Sequence, residues 1–168
     1  AVAVAPRQVA TGYGLVFESQ RVDVAALARQ EKQSIEAAAR AARYRFLFAV
    51  AQWHGAQAVL TAHTADDQAE TLLMHVLRGA GAQGLQGMPA YWLPNPWSDS
   101  VALVRPFLES SRAAVLVYCE AHALPVQHDP SNKDPAFFRN RVRYTLLPLM
   151  EELAPGVKTR LANTAAVQ

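Results

Sequence analysis

The chain has 168 residues, just over half of them apolar, and a formal net charge of only +2. That is about one domain of sequence with enough apolar material for a core, and the near-neutral balance permits a polyanionic partner without demanding one. The single cysteine, Cys119, excludes an internal disulfide, a CxxC redox pair and an all-cysteine iron–sulfur cluster, and no apolar run approaches the roughly 18 residues of a membrane span.

Residues 1–10 lack the basic start and apolar centre of a signal peptide, so the expectation is a soluble, cytoplasmic protein. Ala1 to Gly14 reads as a helix remnant or loop. Leu15-Val16-Phe17 is a strand candidate, and a second lies around Val22. Val24–Lys32 suggests a short helix. Ser34 is a good N-cap for a long helix from Ile35 to about His54, with Ile35, Ala38, Ala39, Ala42, Phe46 and Ala49 as its apolar stripe. Gly55 ends it. Ala58–Ala62 reads as a short buried strand. Ala65–Arg78 reads as a helix with Leu72, Leu73, Val76 and Leu77 inward, stopped by Gly79. Residues 79–100, rich in glycine and proline, read as loop. Val101–Val104 is a further strand, Ser110 or Ser111 caps a helix to about Ala123, and residues 124–135 are turn-rich. Helices resume near Phe137 and again after Pro155-Gly156. Alternation of helix and strand in the first half argues for a parallel sheet.

Four polar residues crowd the strand-to-helix junction: His63, Asp66, Asp67 and Glu70. The end of a strand feeding a helix is where open α/β sheets place their chemistry. Glu70 lies one turn beyond Asp66 and Asp67, so all three acids can share one side of the helix. Acids in a first helical turn are also favoured by the macrodipole, which accounts for one or two of them but not for three plus a histidine. Asp66 and Asp67 suit a hard cation such as Mg²⁺, and no zinc-type spacing is present.

Two basic groups accompany this cluster. Glu36, Arg40 and Arg43 recur at i, i+4 and i+7 on the long helix, a pattern that also suits a solvated face with an intrahelical ion pair. Arg139, Asn140, Arg141 and Arg143 place three guanidinium groups in five residues, downstream of the turn Asp129-Pro130-Ser131-Asn132. Arginine is suited to bidentate phosphate contacts, although a basic helix surface has the same composition. Gly79-Ala80-Gly81-Ala82-Gln83-Gly84 matches GxGxxG literally. It follows a helix instead of opening one, so it is not a dinucleotide fingerprint, though its amides suit an anion.

Taken in order, four blocks resemble the tRNA(Ile)-lysidine synthetases, bacterial members of the PP-loop ATP pyrophosphatase superfamily. The blocks are Glu36 to Tyr44, Ala62 to Met88, Arg105-Pro106-Phe107-Leu108 with Ser111-Arg112, and Asp129 to Asn132 followed by Arg139 to Arg143 and Leu147-Pro148. The resemblance implies an α/β fold with a Rossmann-like parallel sheet and a helical C-terminal extension, residues 1–104 forming part of the PP-loop domain and 105–168 the extension. It implies an ATP-dependent ligase: ATP adenylates C2–O of the wobble cytidine in a CAU-anticodon tRNA(Ile), and the ε-amine of free L-lysine displaces AMP. On that basis His63, Asp66, Asp67 and Glu70 are catalytic candidates. Asp66 and Asp67 are also candidate Mg²⁺ ligands. Glu36, Arg40, Arg43, Arg78, Gly79, Arg112, Arg139, Asn140, Arg141 and Arg143 are candidates for ATP or tRNA contact. The family's Ser-Gly-Gly-x-Asp-Ser loop has no counterpart here, since the chain holds no Gly-Gly pair. The chain is therefore expected to lack that pyrophosphate loop and a C-terminal tRNA-binding domain. A homodimer is one arrangement it allows. A 2-thiolating PP-loop enzyme and a non-catalytic RNA-binding module are the rival expectations.

Overall fold

The structure, a computed structural model, describes residues 4–81, 85–126 and 134–166. Helix α1 covers Val4–Gly12 and α2 Val24–Glu31, the latter capped by the Asp23 carboxylate, which accepts from the Ala26 N–H at 2.9 Å. Helix α3 covers Ile35–Trp53, and Ser34 caps it as expected, its hydroxyl accepting from the Ala37 N–H at 3.2 Å. Strand β1 (Ala58–Leu60) leads into α4 (Ala65–Leu77). Strands β2 (Tyr91–Trp92) and β3 (Ala102–Val104) follow, then α5 (Arg112–Ala121), capped by Ser111. The last segment runs through α6 (Phe138–Arg141), a π-helical turn (Val142–Leu146), α7 (Leu147–Leu153) and α8 (Val157–Ala166). No described helix is long and apolar enough to cross a membrane.

The three strands form a small sheet in the order β1–β3–β2. Strand β2 pairs with β3 antiparallel, with Tyr91 opposite Val104 and Trp92 opposite Leu103. The α/β class holds, but this edge pair is not the parallel neighbour that alternation of elements suggests. An antiparallel edge strand on an α/β sheet is common. Two residues between Pro89 and Pro94 give too short a period to read from sequence, so β2 falls within the expected loop. Leu15-Val16-Phe17 has strand composition yet lies in no strand, and Leu15 and Val16 are 65% and 76% exposed. Strand propensity reports fit to a ladder and a packed face. Among the described residues this segment has no ladder, and only Phe17 is partly covered, with the Arg7 guanidinium 5.2 Å from its ring centroid.

The chain divides into two compact units, residues 1–59 with 96–101, and residues 60–95 with 102–168. In the first, α3 buries Ala38, Tyr44, Phe48 and Ala51. That face is rotated from the expected stripe: Ile35 is 57% exposed and Ala49 is exposed. The aromatic residues decide it. Tyr44 stacks on Trp97 at 4.2 Å between ring centroids and Phe48 approaches the same indole at 5.8 Å. Buried aromatic pairs outweigh alanine placement in an alanine-rich helix.

In the second unit, α4 is the central element. Ala69, Leu72, Leu73 and Met74 are buried along it. Leu73 and Met74 form a cluster with Val142 and Leu147, lined further by Phe138, Leu146, Met150 and Leu161. Val76 and Leu77, expected inward, are about half exposed at 49% and 53%, so the buried face of α4 ends with Leu73 and Met74. Strand β3 is the best-buried strand, with Leu103 at 0% exposure.

Candidate active site

The first turn of α4 holds the acids. Thr64 is the N-cap, and its backbone N–H and hydroxyl both donate to Asp67 Oδ2, at 2.8 and 3.0 Å. This is the carboxylate half of a capping box. The other oxygen of Asp67 receives Arg139 Nη2 at 2.9 Å and Arg143 Nη2 at 3.1 Å. One turn further, Glu70 is 1% exposed. It accepts from Arg143 Nε at 2.5 Å on one oxygen, and from Arg139 Nε at 2.7 Å and Arg143 Nη2 at 2.8 Å on the other. Two acids from one sequence block and two arginines from another, about seventy residues on, therefore form a single buried ionic cluster.

A carboxylate this deep needs such partners, since removing it from water costs several kcal/mol unless its lone pairs are satisfied. Burial alone pulls the Arg143 guanidinium down, but its bond and proximity to Glu70, with Asp67 and Tyr144 adding, raise it above the ordinary arginine value. Both arginines bond through Nε and Nη2, the rigid fork that suits a carboxylate.

Asp66, the neighbouring acid, faces elsewhere. Its Oδ2 accepts the Arg112 backbone N–H at 2.7 Å and its Oδ1 the Lys158 ammonium at 2.7 Å. Burial pushes this carboxyl up, yet the Arg112 N–H and the Lys158 charge outweigh burial and hold it below its ordinary value. Asp66, Glu70, Arg112, Arg143, Tyr144 and Lys158 share the wall of a cavity of about 270 Å³, close to the lower bound of small-molecule sites (~300 Å³).

The other expected site residues fall in several places. His63 is half-buried at the strand end, its Nδ1 2.9 Å from Thr61 Oγ1. Arg78 ends α4 with its guanidinium 5.7 Å from the Phe138 ring centroid. Gly79 has φ +76°, a left-handed conformation that closes α4 and suits glycine. Asn140 is buried and donates to the Asp134 carbonyl at 2.8 Å. Arg141 is exposed. Glu36, Arg40 and Arg43 are exposed on α3, in the other unit, with Arg40 4.8 Å from the Tyr44 ring centroid. The turn Asp129 to Asn132 and Gly84 lie outside the described residues.

Three contributors escaped the sequence. Thr64 was legible in principle, because Thr-x-x-Asp ahead of an apolar run is a capping signature. Gln68 is 3% exposed and brackets the Met88 backbone, donating to its carbonyl at 2.8 Å and accepting its N–H at 2.7 Å. Lys158 lies 92 residues from Asp66, and nothing local marks it.

Set against known proteins, residues 3–150 match a family model described as a PP-loop domain. The chain belongs to the PP-loop domain family. Among the similar proteins of this family, a tRNA(Ile)-lysidine synthase of Geobacter sulfurreducens is 46% identical over 158 residues, covering 94% of this chain and 32% of the relative. One of Salinispora tropica is 48% identical over 166 residues, covering 98% of this chain and 47% of the relative. One of Thermus thermophilus is 40% identical over 160 residues, covering 95% and 29%. The chain thus spans between about a third and a half of the length of the curated relatives it matches. In three dimensions it resembles the U34-tRNA thiolase NcsA of Methanococcus maripaludis, a structure with a 4Fe-4S cluster. That likeness has a TM-score of 0.70 at 18% identity, over 96% of this chain and 55% of the thiolase, and speaks to the fold alone.

Proposed function

We propose that the protein carrying this PP-loop chain is a cytoplasmic tRNA(Ile)-lysidine synthase. What carries the reading is the likeness, at 40–48% identity over nearly the whole chain, to proteins of that name. The α4 cluster supports it, because the two most specific sequence blocks meet there in one cavity wall. ATP activates the wobble cytidine of a CAU-anticodon tRNA(Ile) at C2–O, releasing pyrophosphate. The ε-amine of L-lysine then attacks C2. A C–N bond forms, the C2–O bond breaks, AMP leaves with that oxygen, and a base accepts the amine proton.

In this reading the arginines set the acids in place. Asp67 and Glu70 are already saturated by Arg139 and Arg143 through Nε and Nη2, so the outward edges of the same guanidiniums face the developing phosphate charge. His63, half-buried at the strand end, is the candidate acceptor of that proton, while Asp66, engaged by the Arg112 amide and Lys158, helps hold the turn beside it. Arg78, Arg112 and Arg141 supply further positive charge for phosphate or tRNA. Asp66 and Asp67 do not by themselves form an all-protein Mg²⁺ cage. Their carboxylates serve different partners, and among the described residues no group of three or more His, Cys, Asp and Glu side chains is placed to hold a metal. Where Mg²⁺ accompanies ATP, its natural ligands are phosphate oxygens, water and one or two carboxylates, for which Asp66 and Asp67 are the candidates.

The test is lysine- and tRNA-dependent AMP release by the full-length protein, with lysine incorporation into the tRNA read in parallel with sulfur transfer. Asp67→Ala is expected to abolish AMP release while tRNA binding persists. Normal turnover in that variant removes the site assignment, and sulfur transfer in place of lysine incorporation selects the thiolation alternative.

A further inference from the structure

Lys158 lies on α8, outside the 3–150 span that matches the family model. Its ammonium nonetheless reaches Asp66 in the first turn of α4. Because Asp66 also accepts the amide of Arg112 at the start of α5, one carboxylate ties three elements together. Asp67 is the next residue, and Glu70 follows one turn on. The rest of α8 is fixed independently of this pair. Leu161 packs on the Leu73–Met74 cluster. Near its C-terminal end, the Ala165 carbonyl accepts the Gly87 N–H at 3.3 Å. A Cβ on Gly87 would lie 2.7 Å from the Ala165 Cβ and 2.6 Å from Gln68 Oε1, so loop, α4 and α8 meet with no slack.

We propose that Lys158 is a positioning residue for the α4 site: its bond to Asp66 adds a restraint on the first turn of α4 beside the Thr64 cap and the arginine bonds to Asp67 and Glu70, and the aim of those acids depends on all three together. This deepens the reading of the reaction given above and rests on it. A half-exposed ion pair contributes little to overall stability, and the Lys158 side chain is 42% exposed. A purely structural role therefore predicts almost no effect of its loss, whereas a positioning role predicts an effect concentrated on turnover, because small misplacements of catalytic groups are costly.

The experiment uses the full-length protein and the variants Lys158→Met, which keeps most of the aliphatic stem, and Lys158→Arg, which keeps the charge. In lysine-dependent AMP release, Lys158→Met should lower kcat about tenfold with KM for ATP within about twofold, and Lys158→Arg should recover most of that loss. Hydrogen exchange of the amides of residues 65–70 should accelerate about tenfold in Lys158→Met and return toward the wild-type rate in Lys158→Arg. Unchanged exchange in Lys158→Met overturns the proposal, and so does a kcat that Arg restores no better than Met. If the wild-type protein releases no AMP on addition of lysine, the reaction reading fails, and the exchange measurement alone decides whether Lys158 orders α4.

Discussion

Glu36, Arg40 and Arg43 on α3 are built from the same residue types as Asp67, Glu70, Arg139 and Arg143 around α4, but they end in opposite environments. The α3 group is exposed, and Arg40 lies against the Tyr44 ring. In the α4 group Glu70 is 1% exposed and every charge is answered within the chain. The difference teaches that a charge pattern specifies chemistry only after burial is known. The solvated set is free to meet a partner and contributes little to the fold. The buried set is answered within the chain, and removing one of its partners leaves a buried charge unpaired.

The largest effect should come from breaking the buried set. Glu70→Ala leaves two part-buried guanidiniums sharing only Asp67. Removing one partner of a buried pair costs about 3–5 kcal/mol, so α4 amides in the full-length protein should lose protection equivalent to about that much in native-state hydrogen exchange. A loss under ~1 kcal/mol would mean that the cluster is solvated and the contrast with α3 false.

Next in size is a steric test of how tightly this region is built. Gly87→Ala pushes a methyl group into Gln68, which the Met88 backbone holds at both ends, and into Ala165. Overpacking of this kind costs about 1–3 kcal/mol. At Gly81, from the same glycine-rich stretch, an added Cβ would meet nothing within 4 Å, so Gly81→Ala should stay within about 0.5 kcal/mol. Equal melting shifts for the two variants would show that the approach of α8 to the loop is loose.

The same contrast marks what could be read from the residues. Capping serines, the α4 helix and the crowding of acids into its first turn follow from local rules, because Ser34, Ser111 and the acids after Thr64 act within one turn of where they stand. The partners of those acids do not. Arg139 and Arg143 look like phosphate ligands in a linear reading, and only the approach of α6 and the π-helical turn to α4 shows that they neutralise Glu70. Strand content misled in both directions. Leu15-Val16-Phe17 has the composition without a ladder, while Tyr91–Trp92 has a ladder without a readable period.

A smaller effect separates Asp66–Lys158 from the buried set through pH. Burial raises the Asp66 carboxyl, but the Arg112 amide and Lys158 lower it further, so its folded-state value lies below the unfolded one. Such a group stabilises the fold above the unfolded carboxylate pKa of about 3.9 and loses that contribution as pH falls through the lower folded value. The melting temperature of Lys158→Met should thus trail the wild type by a constant small gap from pH 5 to 7, within the ~0–1 kcal/mol of a half-exposed pair. The gap should close on acidification, as pH falls beneath the ordinary carboxylate value and through the lower folded one. A gap that persists there would assign the effect of Lys158 to packing of its stem.

The smallest effect on stability is expected on α3, and it is the sharpest test of whether exposure there serves a partner. Arg40→Ala and Arg43→Ala should each leave stability within about 0.5 kcal/mol, as surface substitutions do, with Arg40→Ala giving up in addition its contact with the Tyr44 ring. If either guanidinium meets a tRNA phosphate, its loss weakens binding and reduces the dependence of log K on log salt by about 0.7–0.9. Arg143→Ala should behave in the reverse way, destabilising α4 strongly because Glu70 loses the partner that contacts both of its oxygens. Unchanged affinity and salt slope in both α3 variants would make that face a solvated helix surface and leave the contrast with α4 one of burial alone.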